Sequence, residues 1–147
     1  MTIHRVYDKE LSAEFWICGE TISRGDYIKA TQDMIEDEHR FQNLRFVFID
    51  QSNVLKIDVD TEKLPSLVEL NKSAARVNPN LCLAVVSRKD ILFGLSRMWK
   101  ALVGVISWQT YVCRNSEEAA EWLVNKIEDL KDPITVLKAA AQADPQK

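Results

Sequence analysis

Three stretches of this chain are apolar on both alternating faces: Glu14-Phe15-Trp16-Ile17-Cys18-Gly19, Leu44-Arg45-Phe46-Val47-Phe48-Ile49 and Leu81-Cys82-Leu83-Ala84-Val85-Val86. Successive side chains of a strand point to opposite sides, so a run that is apolar at both parities has to be covered on both. Such runs fit central strands of a parallel sheet lying between helical layers. The segments at either end differ. Ile3 to Tyr7 mixes polar and apolar residues and reads as an edge strand. In Ile106 to Cys113, Trp108, Thr110 and Val112 oppose Ser107, Gln109 and Tyr111, which suits a half-covered edge.

Helical segments alternate with these strands, and several carry start and stop signals. Ser23 is followed three residues on by Asp26, and Asn115 by Glu118, both close to a capping box. The first helix is expected from Arg24 to Glu38, burying Tyr27, Ile28, Met34 and Ile35. The second runs from Leu64 to Val77 over Leu67, Val68, Leu70, Ala74 and Ala75; Pro65 is tolerated in its first turn, and Asn78-Pro79-Asn80 stops it. The third covers Asp90 to Val103, where Ile91, Leu92, Leu95, Met98, Trp99, Leu102 and Val103 form one stripe at 100° per residue. The fourth covers Ser116 to Leu130. The expected fold class is therefore α/β, with a mostly parallel five-stranded sheet, about four helices and right-handed crossovers. Val54 to Asp60 alternates strictly and reads as a short extra strand or an ordered loop across the sheet's edge. Residues 1–132 are expected to form the domain, and 133–147 a C-terminal extension with a short helix and a frayed tail.

Length and charge limit the function classes. At 147 residues one core suffices, burying roughly 70% of the surface that the unfolded chain exposes. A formal net charge of −3 argues against a general nucleic-acid binder, which needs a basic face to displace counterions. No apolar run approaches the ~20 residues that span a bilayer, and Met1 to Tyr7 lacks the apolar core of a secretory signal, so a cytoplasmic location is expected. Cys18, Cys82 and Cys113 are odd in number and each lies in a strand-like segment, which points to buried reduced thiols. His4 and His39 have no partners at zinc-ligand spacing, and Gly19, Gly25, Gly94 and Gly104 are isolated, so no metal and no cofactor is expected. A trio of Ser52, His39 and Asp50 is one that any chain of this length offers. A non-enzymatic protein follows as the expectation.

Two surfaces stand out as candidate sites. Ligands of open α/β sheets sit beyond the carboxyl ends of the strands, and that edge would carry Asp50, Ser52, Arg88, Lys89 and Arg114, with Glu20, Gln51, Ser87 and Asn115. The cations beside helix amino-termini suit an anion; the alternative is an ordinary polar loop edge. On the third helix, Phe93 projects away from the apolar stripe, between Arg97 and Lys100. A contact with a partner or a membrane surface explains it, and so does local pairing of ring and cation. Asn71 interrupts the stripe of the second helix, where a buried amide without partners costs about 1–3 kcal/mol. Either it pins the loop around Val54 to Val59 or it meets a second copy of the chain.

With the element order in place, the last third of the chain resembles the SpoIIAA-like group of small bacterial proteins. The resemblance is carried by Arg97-Met98-Trp99, by Trp108-Gln109-Thr110-Tyr111-Val112-Cys113-Arg114-Asn115-Ser116-Glu117-Glu118-Ala119, and by Trp122-Leu123. That group is similar in fold to STAS domains and more loosely to lipid-binding CRAL-TRIO domains. Anti-sigma-factor antagonists of the STAS type carry a phosphorylatable serine in an Asp-Ser-Ser-Gly-like turn. The matching stretch here is Asp58-Val59-Asp60-Thr61, with Val59 in the serine's place and no glycine after it; Thr61 is the only nearby hydroxyl. The resemblance implies a regulatory or binding module that docks a protein partner or a second copy of itself as a homodimer. The alternative it implies is a carrier or sensor of a small apolar or lipid-like ligand, for which Trp16, Phe48, Trp99 and Trp108 supply aromatic surface.

Overall fold

A computed structural model describes residues 3–58, 61–102 and 107–145. Among these residues the chain forms seven strands and six α-helices. In order they are β1 (Ile3–Asp8), β2 (Ala13–Cys18), β3 (Thr21–Ser23), α1 (Arg24–Glu36), α2 (Glu38–Gln42), β4 (Phe46–Asp50), β5 (Lys56–Asp58), α3 (Leu64–Val77), β6 (Cys82–Val86), α4 (Asp90–Leu102), β7 (Gln109–Cys113), α5 (Ser116–Lys126) and α6 (Pro133–Ala143). Five strands make one mixed sheet in the order β1-β2-β4-β6-β7, with β1 antiparallel to β2 and every other pair parallel. The three doubly apolar runs are thus the three interior strands, as their pattern requires.

Register divides their side chains between two cores. Val6, Phe15, Phe48, Ala84 and Tyr111 lie in one row across the sheet, and Arg5, Trp16, Ile49, Val85 and Val112 in the next. Trp16, Cys18, Val47, Ile49, Leu83 and Val85 pack with Ala30 and Met34 of α1, Ala74 and Ala75 of α3, and Leu92 of α4. Phe15, Phe46, Phe48, Ala84 and Val86 pack on the opposite side, against Ala119, Ala120 and Leu123 of α5 and Val136, Ala140 and Ala143 of α6. Both faces are covered, so alternating residues of one strand serve different layers.

Several local expectations change on contact with tertiary structure. Ser23 and Asp26 form a complete capping box, with Ser23 N donating to Asp26 Oδ2 at 2.8 Å and Asp26 N to Ser23 Oγ at 3.2 Å. The helix they start ends at Glu36, because Asp37 turns to accept from Arg40 N and opens the short α2. The alternating segment after Val54 does form a strand, β5, but it pairs in parallel with β3 in a separate two-stranded ribbon. Glu20 O accepts from both Leu55 N and Lys56 N, at 2.7 and 2.9 Å, and draws that segment away from the main sheet. The helix beyond Pro133 is α6, whose Val136 is fully buried against the sheet's second face. The expected reach of the third helix to Val103, the strand start at Ile106, and Val59 and Asp60 lie outside the described residues.

One buried charge escaped the sequence reading. Glu14 is 1% exposed in the middle of the sheet, and its carboxylate accepts from Arg5 Nε and Nη2 at 2.9 and 2.7 Å, from Arg40 Nη2 at 3.1 Å and from Trp16 Nε1 at 2.8 Å. Arg40 also lies 4.3 Å above the Tyr7 ring. This cluster ties β1, β2 and α2 together through charge-assisted hydrogen bonds, the strong class of such bonds.

Candidate functional site

Three helices turn one face each toward the first side of the sheet, and the faces do not close completely over it. From α1 come Arg24, Tyr27, Thr31 and Met34, spaced to lie on one stripe; from α3 come Leu67 and Asn71; from α4 come Leu92, Leu95, Ser96 and Trp99. Val47 and Ile49 of β4 and Leu83 and Val85 of β6 form the floor, with Trp16 and Trp108 at its sides. Together they enclose a cavity of about 110 Å³. Ile57 and Asp58 of β5 complete the wall, and because Asp58 is exposed, the cavity meets solvent beside the β3–β5 ribbon.

Most of this wall is apolar, and its polar groups are largely turned toward one another. Gln51, one residue past β4, donates through Nε2 to Tyr27 Oη, while its Oε1 accepts from Ser87 Oγ and, at 3.3 Å, from Ser96 Oγ. Tyr27 Oη also meets Cys18 Sγ at 3.6 Å. This chain of hydrogen bonds fixes α1 and α4 to the carboxyl ends of β2, β4 and β6. Burial holds the Tyr27 hydroxyl well above its ordinary range, so it stays protonated and able to donate. Asn71 is buried, and its Nδ2 donates to Leu67 O one turn earlier at 3.0 Å; among the described residues no hydrogen bond joins its side chain to the segment around Val54 to Asp58.

Two donors in the wall stand apart. Among the described residues no acceptor reaches Arg24 Nη1 or Trp99 Nε1, although both atoms are sealed from solvent. The other two indoles that line the cavity are satisfied, Trp16 by Glu14 and Trp108 by Asn78 O at 2.7 Å.

Of the residues singled out from the sequence, Trp16, Gln51, Asp58, Asn71, Trp99 and Trp108 line this cavity, Phe48 packs on the opposite side of the sheet, and the others fall elsewhere. Asp50 is half-buried at the end of β4 and its Oδ1 accepts from Ser52 N at 2.8 Å, a local turn contact. Arg88 and Lys89 are exposed. Arg114 donates through Nη1 to Asp90 Oδ1 at 2.7 Å and to Arg88 O at 3.3 Å, and its guanidinium lies 4.0 Å from the centre of the Phe93 ring. Arg97 lies 5.8 Å from the same ring, and Lys100 is exposed. The structure therefore joins Phe93, Arg97 and Arg114, which the sequence assigned to two separate sites, into one cluster outside the cavity. The Thr61 side chain lies outside the described residues. The sequence offers Trp99 as aromatic surface for an apolar ligand but Arg24 only as the first residue of a helix; the partnerless donor of each has no signature in a linear pattern.

All three thiols are buried and free. Burial, the largest influence on each, pushes Cys18 and Cys113 up from 9.0 to about 12 and also raises Cys82. Thiolates are the reactive form, so a maleimide or iodoacetamide at pH 8 is expected to leave the folded protein unmodified and to label three sites in denaturant, as read by mass spectrometry. The same shifts make stability depend on alkali. Below about pH 9 both folded and unfolded chains keep the Cys18 and Cys113 protons. Between about 9 and 12 the unfolded chain loses them first, so the melting temperature is expected to fall steadily over that range. A flat profile there, or rapid labelling of the native protein, would show that these strands are not enclosed.

Among the described residues no group of three or more His, Cys, Asp or Glu side chains is placed to hold a metal ion, and no helix is long and apolar enough to cross a membrane. No family model matches the chain, and no curated protein or solved structure does so either.

Proposed function

We propose that the protein is a non-enzymatic binding or regulatory module that holds a small, largely apolar ligand between its sheet and the layer formed by α1, α3 and α4. The observation that carries this reading is the cavity of about 110 Å³, walled by apolar side chains from three helices and four strands. Close packing normally leaves few voids larger than a water molecule, and apolar space of this order takes up small apolar molecules. The volume favours a compact ligand over a long acyl chain. The element order, with an antiparallel β1–β2 pair followed by parallel strands, supports the finer assignment to a STAS-like fold of the SpoIIAA-like kind.

Xenon NMR and a thermal-shift panel of small branched and aromatic compounds test the proposal. Xenon is expected to show a saturable bound environment. A true ligand at a hundredfold excess over its Kd stabilises by about 2.7 kcal/mol, which corresponds to a rise in melting temperature of about 5–10 °C. No bound xenon and no shift across the panel would rule the cavity out as a binding site.

Docking of a protein partner or of a second copy through the outer face of α4 is supported less well. Phe93 is only half-buried, which favours it, but Arg114 already covers a face of the ring. A homodimer in light scattering that dissociates on Phe93→Ser, with xenon absent, would reverse this order.

A further inference from the structure

We infer that the protein pairs with a second copy of itself through the free edge of β1, so that two five-stranded sheets join into one continuous sheet. This surface lies at the opposite end of the sheet from β7, whose end carries the Phe93 and Arg114 cluster.

An edge strand turns a row of N–H and C=O groups outward, a template for pairing with another chain unless something prevents it. The usual preventions are missing from β1. It runs through Ile3-His4-Arg5-Val6-Tyr7-Asp8 without proline or glycine, and its one-to-one register with β2, from Ile3↔Cys18 to Asp8↔Ala13, has no bulge. Among the described residues no backbone group of a loop or helix hydrogen-bonds to it from the outer side. Arg5, whose charge would guard the edge, is drawn the other way, over the sheet to Glu14 at 2.9 and 2.7 Å.

The sequence of the strand then selects a partner and a register. Two copies related by a two-fold axis normal to the sheet pair antiparallel, and side chains directly opposite each other point to the same face. That condition leaves two registers which engage most of β1. One is centred on Arg5 and sets this cation against Arg5 of the second copy. The other is centred on Val6, and it sets His4 against Asp8, Arg5 against Tyr7 and Val6 against Val6 of the second copy. In the second register an imidazole donor meets a carboxylate on each side of the axis. His4 is exposed and open to such a contact, and Asp8 spends one oxygen on Leu11 N at 3.0 Å while a carboxylate can accept several bonds. Cross-strand pairs of this kind stabilise a sheet, whereas like charges directly opposite destabilise it. The strand is therefore complementary to itself when centred on Val6. At the other end of the sheet, β7 has no charged residue from Gln109 to Cys113, so no register of it gains in this way. Because the axis is normal to the sheet, the cavities of both copies lie on one side of the joined sheet.

Light scattering on the intact chain tests the state, and placed cysteines test the register. A mass twice the 16.9 kDa of the chain is expected. Facing Cβ atoms of paired strands lie about 4.5–5.5 Å apart, within the reach of a disulfide, so Val6→Cys is expected to cross-link to its own counterpart under mild oxidation. The native thiols are buried and do not compete. His4→Cys is expected not to cross-link, because the two positions then stand about 13 Å apart along the strands. His4→Asp places carboxylate against carboxylate at both contacts and is expected to raise the dimer Kd about tenfold. Adding Asp8→His restores donor against acceptor and is expected to recover most of that loss, which a folding defect would not do. A wild-type chain that stays monomeric up to millimolar concentration overturns the inference. So does a dimer that cross-links through His4→Cys and not Val6→Cys, or one that dissociates on Phe93→Ser and is indifferent to His4→Asp.

Discussion

Phe15→Ala is expected to cost about 3–5 kcal/mol, a large share of the 5–15 kcal/mol that holds a domain of this kind together. Phe15 is 0% exposed and its ring meets Phe46 edge-on at 5.8 Å and Phe48 at 5.6 Å, at the centre of the core beneath α5 and α6. Removing the ring forfeits its transfer free energy and leaves a void that three strands and two helices cannot collapse to fill, since β2 is held by β1 on one side and β4 on the other. Urea denaturation measures this directly, with the midpoint expected to fall by about 2 M. Phe15→Leu keeps most of the volume and is expected to cost less than half as much. A change below about 1 kcal/mol for alanine would mean that Phe15 is not enclosed, and the two-faced coverage of β2 would fall with it.

Glu14→Ala is expected to cost about 3 kcal/mol, for a different reason. The carboxylate is the shared acceptor for Arg5, Arg40 and the Trp16 indole, and removing it leaves four N–H donors around a void. The two arginines retain access to water, at 20% and 33% exposure, which keeps the loss at the lower end of the range for broken buried pairs. Glu14→Gln is expected to fall between alanine and wild type, because the amide oxygen still accepts from an N–H but carries no charge. The combined change Glu14→Leu with Arg5→Met is expected to recover much of the loss, since apolar replacement of both partners is often neutral. Equilibrium unfolding of the four proteins decides the point. If Glu14→Ala and wild type unfold alike, the cluster makes no net contribution to stability.

Much of the fold was legible because it follows from short-range rules. Apolar residues at both parities in Phe15–Cys18, Phe46–Ile49 and Leu81–Val86 can be satisfied only inside a covered sheet, and those segments are β2, β4 and β6. Ser23 with Asp26, and Asn115 with Glu118, stand at helix starts because a cap is a contact across three residues. The thiols followed from their place in such strands. Glu14 did not, because its acceptor role depends on Arg40, 26 residues away, arriving over the sheet by way of a five-residue helix. The β3–β5 ribbon was half legible: alternation marked β5 as extended, but its partner was a three-residue strand with no pattern of its own.

The candidate site lies at the far end of that scale. Phe93 stood out in the sequence because an aromatic residue on a polar helix face is a local anomaly, and the structure answers it with Arg114 and Arg97. Trp16, Trp99 and Trp108 were legible as aromatic surface, but Arg24 did not stand out, because an arginine in a first helical turn is ordinary.

By itself the sequence determined the strands of the main sheet, the longer helices and which of their faces are apolar, since these depend on local propensity and on transfer of side chains out of water. Only the tertiary structure decided how completely α1, α3 and α4 close over β4 and β6, and therefore that a cavity remains between them. Helix placement is set by the summed packing of distant side chains, so a residual space of about 110 Å³ is a property of the assembled layers and of no single segment.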